Sequence, residues 1–72
     1  MTNKKFLEAL GEKIRALRIE KGLTQQELAN LIGIKHRQQI VKIETGANTA
    51  IKTLRKISKV LKVSLSELVS VD

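Results

Sequence analysis

The chain has 72 residues, with 14 Lys or Arg against 7 Asp or Glu, and it contains no cysteine, proline, tryptophan or tyrosine. That length supports one small domain over residues 1–72, burying only about 60% of the surface its unfolded chain exposes and stable by roughly 4–10 kcal/mol. Disulfides and thiolate metal sites are excluded. No apolar run approaches the ~20 residues of a membrane span and no signal peptide is visible, so the chain reads as soluble, its core made of Leu, Ile, Val and Ala around the single Phe6.

Five helices are predicted, and no strand. Helix 1 runs from about Asn3 to Lys21, with Phe6, Leu7, Leu10, Ile14 and Leu17 recurring on one face at helical spacing. Gly11 inside it costs about 1 kcal/mol relative to alanine, so a close helix–helix contact is expected there. Lys21-Gly22 is a stop signal, a basic last turn followed by a residue free to take positive φ. Helix 2 opens on Thr24 with Glu27 three residues on, a capping box ahead of Leu28, Ala29 and Leu31, and Gly33 ends it. Helix 3 spans about His36 to Thr45, with Ile40 and Ile43 pointing inward, and stops at Gly46. Thr49 is placed to cap helix 4, whose apolar face is Ile51, Leu54, Ile57 and Leu61. Ser64 and Glu67 make a second capping box before a short helix with Leu65, Leu68 and Val69. The sum is an all-α, five-helix bundle with short connections.

The segment from Thr24 to Gly46 holds most of the functional signal: two short helices around a glycine turn. The second carries Arg37, Gln38, Gln39 and Lys42, side-chain types that pair with guanine and adenine edges in the DNA major groove. Charge supports this placement. Residues 1–34 carry a net +2, whereas 35–62 hold Lys35, Arg37, Lys42, Lys52, Arg55, Lys56, Lys59 and Lys62 against Glu44 alone. A local cation excess suits a polyanion, because displaced counterions drive binding to a phosphate backbone; a merely solvated surface is the alternative. At 100° per residue, an inward Ile40 and Ile43 put Gln38, Val41, Lys42 and Thr45 on the opposite face, with Arg37 and Gln39 at its flanks. The same wheel turns His36 inward, toward a capping or packing role.

These features resemble the helix-turn-helix regulators of the Cro and lambdoid-repressor type, the xenobiotic-response-element family. The likeness extends over about Leu10 to Val69 and is carried by LGEKIRALRIEKGLTQQELA, IVKIETG and TLRKISKVLKVSLSELV. The resemblance implies a lambda-repressor-like fold and base contacts from Arg37, Gln38 and Lys42, with Gln39 and Val41 as further candidates. It also implies a phosphate contact from Gln25, the first residue of helix 2, aided by the helix N-terminus. Lys35, Thr45 and Asn48 are further phosphate candidates. Arg18 and Glu44 match a family pair joining helix 1 to the end of helix 3. The chain departs from the family in three places: Ile40 lies seven rather than six residues after Gly33, the next loop is one residue shorter, and Thr49 stands where proline is common. Lys52, Arg55, Lys56 and Lys59 cannot all face one duplex, and most of that run reads as solvated face.

The resemblance further implies a bacterial or phage-encoded, cytoplasmic transcription regulator, most simply a repressor. It would bind a two-fold symmetric double-stranded operator as a homodimer, since one recognition helix reads only a few base pairs. Small controller proteins of restriction–modification systems are similar in size, and antitoxins use the same fold. Any dimer contact would come from the bundle surface, around Leu65, Leu68, Val69 and Val71, although Leu65 and Leu68 are expected to close the core. No cofactor or small-molecule ligand is implied. One histidine without cysteine makes no strong metal site, and Glu8 and Glu12 read as helix-surface charges paired with nearby lysines. With no phosphate loop or nucleophile–base pair, the chain does not read as an enzyme. The rival is a protein-interaction module on the same fold, argued only by an exposed Val41; RNA binding lacks the aromatic stacking surface it needs.

Overall fold

The structure, a computed structural model, describes residues 4–71. It contains α1 (Lys4–Glu20), α2 (Gln25–Leu31), α3 (Arg37–Glu44), α4 (Ile51–Leu61) and α5 (Leu65–Val69), and the described residues form no strand. The helix start expected at Asn3 lies outside the described residues. Leu10, Ile14, Leu28, Ala29, Ile32, Ile40, Ile43, Leu54, Ile57, Leu61 and Leu68 form one buried cluster drawn from every helix and the α2–α3 turn. Among the described residues no helix is long and apolar enough to cross a membrane.

Helix α1 is the spine. Its buried face presents Leu10, Gly11, Ile14 and Arg18, and at Gly11 the backbone of α3 comes so close that a Cβ would lie 2.5 Å from the Ile43 carbonyl oxygen. This is the close contact that the glycine pointed to. Helix α2 has the full capping box: the Glu27 N–H donates to Thr24 Oγ1 (3.0 Å) and the Thr24 N–H donates to Glu27 Oε1 (2.8 Å). Of the second box the structure shows the forward half, the Glu67 N–H donating to Ser64 Oγ.

Helices α1 to α4 all stop in the same way. In each, one residue takes positive φ and the next sends its N–H back five residues: Leu23 to Arg18, Ile34 to Ala29, Ala47 to Lys42 and Val63 to Ser58. These are Schellman closures, with an apolar residue after the turn. Three use glycine; the fourth uses Lys62, at φ 61°. A non-glycine residue there carries about 1–2 kcal/mol of strain, while glycine adds about 0.5–1 kcal/mol of unfolded-chain entropy. Lys62→Gly should therefore stabilise the protein modestly and raise the Tm by a few degrees, at ~4–8 °C per kcal/mol for a domain this size. A thermal melt with an unchanged or lower Tm would mean that the lysine stem contributes more than the strain costs.

Four expectations need correction, and each fails at the end of a helix. Phe6 is 41% exposed rather than central. Seventeen residues make α1 more than twice as long as α2 or α3, and Gly46, just past α3, already lies level with Glu8, two residues short of Phe6. Leu31 and Ile51 are each 59% exposed. In the two-turn α2 the buried row continues into Ile32, and in α4 it runs Leu54, Ile57, Ser58 and Leu61. Thr49 does not cap α4. The N-cap is Ala50, without a side-chain bond, and the Thr49 hydroxyl instead donates to the Ala47 carbonyl across the turn. At the C-terminal end Leu68 is fully buried, and the half-buried Leu65, Val69 and Val71 pack against the core. Lys13 Nζ from α1 caps α5 by donating to the Glu67 carbonyl (2.6 Å) and the Ser70 carbonyl (3.3 Å).

Candidate nucleic-acid interface

Helix α3 starts at Arg37 and buries Ile40, Ile43 and Glu44. Arg37, Gln38, Gln39 and Lys42 are exposed, over about 7.5 Å of helix axis from Arg37 to Lys42. Arg37 and Lys42 make no ion pair among the described residues, so their donors stand open to an outside acceptor. Val41 is half-buried rather than exposed: it lies closer to the buried row than Gln38 does, and part of its surface is covered. That removes most of the apolar outer face on which a protein-interaction reading relied.

His36 also differs from expectation. It is exposed and forms the N-cap of α3 with extended backbone, φ −114° and ψ 124°, without a side-chain cap bond. A helical wheel cannot be extended to a residue outside the helix, which is why the inward assignment fails.

The turn from Ile32 to His36 sets the approach of α3. Gly33 adopts φ 80°, and Ile34 returns its N–H to Ala29 (2.8 Å) while its side chain packs on the core. Gln26, a residue that periodicity passes over, secures the other side: its Nε2 donates to Asn30 Oδ1 (2.9 Å) and to the Lys35 carbonyl (3.2 Å). Both amide hydrogens are thereby used to tie α2 to the residue just before the α3 cap. The only sequence signal was a glutamine four residues before an asparagine on one helix face.

At the far end of α3 lies a buried, bidentate ion pair. Arg18 Nε donates to Glu44 Oε2 at 2.6 Å and Nη2 to Oε1 at 3.2 Å, with the two side chains 9% and 2% exposed. Arg18 Nη1 donates to the Leu23 carbonyl (2.7 Å) and Gln25 Nε2 to Glu44 Oε1 (3.1 Å). One carboxylate therefore joins the end of α1, the first residue of α2 and the last residue of α3. The paired, bidentate geometry satisfies charges that would be costly to bury alone, and no buried side-chain polar atom of the described residues is left without a partner.

The phosphate candidates do not form one set. Lys35 is exposed beside the α3 N-terminus. Gln25 is half-buried and has one amide hydrogen committed to Glu44, leaving a second for an outside acceptor. Asn48 is exposed, its Oδ1 taken by the Thr49 N–H, which directs its NH2 outward. Thr45 places its hydroxyl within reach of the Val41 and Lys42 carbonyls, so its donor is used within its own helix turn. An open hollow of about 210 Å³ between α3 and the start of α4 is lined by Gln39, Lys42, Asn48 and Thr53 together with Ile34 and Ala47. Helix α3 and the α3–α4 loop thus share one surface.

Comparison with known proteins agrees with this fold. A helix-turn-helix family model, HTH_3, matches residues 14–68. Among solved structures, the restriction-modification controller protein C.AhdI from Aeromonas hydrophila is 33% identical, with 86% of this chain and 94% of that chain covered at a TM-score of 0.80. SinR, the master regulator for biofilm formation, solved in complex with DNA, is 35% identical over 85% of this chain and 98% of that one, TM-score 0.77. The clp gene regulator ClgR from Corynebacterium glutamicum is 26% identical over 88% and 67%, TM-score 0.81. A search of curated proteins gives no match. With five helices in the family order and the match running from the middle of α1 into α5, the chain belongs to the HTH_3 helix-turn-helix family of Cro-like, xenobiotic-response-element regulators.

Proposed function

We propose that this protein is a sequence-specific, double-stranded DNA-binding transcription regulator that acts in the cytoplasm as a homodimer on a two-fold symmetric operator. The observation that carries the proposal is α3 itself: Arg37, Gln38 and Lys42 are exposed on a helix whose opposite face is fixed by Ile40, Ile43 and the buried Glu44. Rigid support of that kind suits direct readout, in which bidentate pairs with base edges discriminate by about 1–3 kcal/mol each. Gln25, Lys35 and Asn48 supply donors around it for the backbone, contacts that set register without reading sequence. The solved complex of SinR with DNA supports the same use of the fold. Dimerisation follows from information content, because one helix covers only part of a useful site and two-fold half-sites about one turn apart supply the rest. Repression by occupying the operator is the simplest outcome; a controller role in the manner of C.AhdI uses the same contacts.

Selection of bound sequences from a random duplex library at about 150 mM salt, with Gln38→Ala/Lys42→Ala in parallel, tests this directly. The wild type should enrich a symmetric motif. The double variant should lose roughly 5–150-fold in affinity per lost contact while keeping its melting temperature, since both side chains are exposed. Binding without any motif, equally strong in the variant and vanishing steeply as salt rises, would show that net charge alone is responsible.

A further inference from the structure

A second charged feature lies on α4, away from the recognition helix. From Thr45 to Ser66 the chain contains no acidic residue, yet it holds Lys52, Arg55, Lys56, Lys59 and Lys62. Helix α4 buries Leu54, Ile57, Ser58 and Leu61, and at 100° per residue Lys52, Lys56 and Lys59 lie opposite that row. All three are exposed, and none has an ion-pair or hydrogen-bond partner for its side chain among the described residues. A surface needed only for solubility mixes signs. A one-sign stripe repels itself and gains nothing until an anion covers it.

The stripe also has a direction. The N-terminal end of α4 adjoins the hollow lined by Gln39, Lys42, Ala50 and Thr53, and the exposed Lys52 lies in that first turn, about 100° round the helix from Thr53. Lys56 and Lys59 then continue along the axis, the three spanning about 10.5 Å. That length matches roughly three phosphates of one DNA strand at 3.4 Å of axis each.

We infer that the outer face of α4 binds the phosphate backbone of the operator duplex just outside the half-site read by α3. The stripe is a sequence-independent extension of the footprint. It adds affinity and salt dependence without adding specificity, and its single sign keeps this face from pairing with its copy in a second subunit. The inference rests on the DNA-binding reading above.

The test uses Lys52→Gln/Lys56→Gln/Lys59→Gln and the motif selected by the wild type, in two duplexes: one ending at the edges of the motif and one extended by about one helical turn, ~10 bp, on each side. The wild type should prefer the extended duplex and the triple variant should not. On the extended duplex the slope of log K against log salt should be shallower by about 2–3 in the variant, with the selected motif unchanged. If the triple variant keeps the wild-type slope and flank preference while selecting the same motif, α4 is a solvated face and the inference fails alone. If the wild type selects no motif, the inference falls together with the DNA-binding reading. A variant unchanged on one duplex but unable to bring two duplexes together would assign the stripe to a second duplex and overturn the proposal as stated.

Discussion

Arg18→Met alone should remove about 3–5 kcal/mol of stability. The substitution removes three donated hydrogen bonds, two to Glu44 and one to the Leu23 carbonyl, and strands a carboxylate whose side chain is 2% exposed. Breaking one side of a buried pair costs about 3–5 kcal/mol, a large share of the ~4–10 kcal/mol available to a chain of this length. Glu44→Leu should be nearly as damaging, because it leaves the guanidinium buried with only the Leu23 carbonyl and frees the Gln25 amide. The combined Arg18→Met/Glu44→Leu variant should be clearly more stable than either single variant, since no uncompensated charge remains and apolar groups of similar volume fill the site. Urea unfolding of the four proteins measures the coupling between the two positions. Additive losses would show that the pair acts as two independent side chains. Operator affinity then separates stability from orientation: if Glu44 holds the end of α3 and the Gln25 amide in place, the refolded double variant should still bind its motif less tightly than the wild type.

The fates of particular residues show what could be read from the chain. Periodicity placed all five helices and the inward pair Ile40 and Ile43, because that signal depends only on neighbours along one helix. Thr24 and Glu27 were legible for the same reason, since a capping box closes within four residues. Phe6, Leu31 and Ile51 were not: an apolar stripe says which face is able to be buried, and only the lengths and positions of other helices decide where the cover ends. Thr49 failed by one residue of boundary, enough to exchange a cap for a turn contact, and His36 by one residue, enough to leave the helix for an exposed N-cap position. In the candidate site, the exposure of Gln38 and Lys42 followed from the wheel, whereas Arg37, at the flank, was offered by the family resemblance. The Arg18–Glu44 link, across 26 residues, was accessible only through family resemblance. The bonds from Gln25 to Glu44 and from Gln26 to Lys35 depend on how α2 sits against α3, which no local pattern encodes.

Gly11→Ala should be destabilising, although alanine is favoured over glycine in a helix interior by about 1 kcal/mol. The new Cβ would lie 2.5 Å from the Ile43 oxygen, 2.6 Å from the Glu44 oxygen and 2.8 Å from the Glu44 carbonyl carbon. These are backbone atoms, so no side chain can rotate aside to make room. Reaching ordinary contact at 3.4 Å requires α1 and α3 to separate by about 0.9 Å at that point. Overpacking of this kind costs ~1–3 kcal/mol, and a contact against backbone belongs at the upper end, leaving a net loss of roughly 1–2 kcal/mol after the propensity gain. The displacement falls at the last turn of the readout helix and at Glu44, so operator affinity should drop along with stability. Gly22→Ala is the matched control. Gly22 has nothing within 4 Å of its Cβ position and a φ of 73°, so its cost is backbone strain of about 1–2 kcal/mol, with no reason for α3 to move. Thermal melts and binding titrations on both variants separate the two effects. A Gly11→Ala protein at least as stable as the wild type, with full affinity, would show that the α1–α3 contact yields without consequence; loss of both in Gly11→Ala, but of stability alone in Gly22→Ala, would establish that helix packing at Gly11 sets the position from which DNA is read.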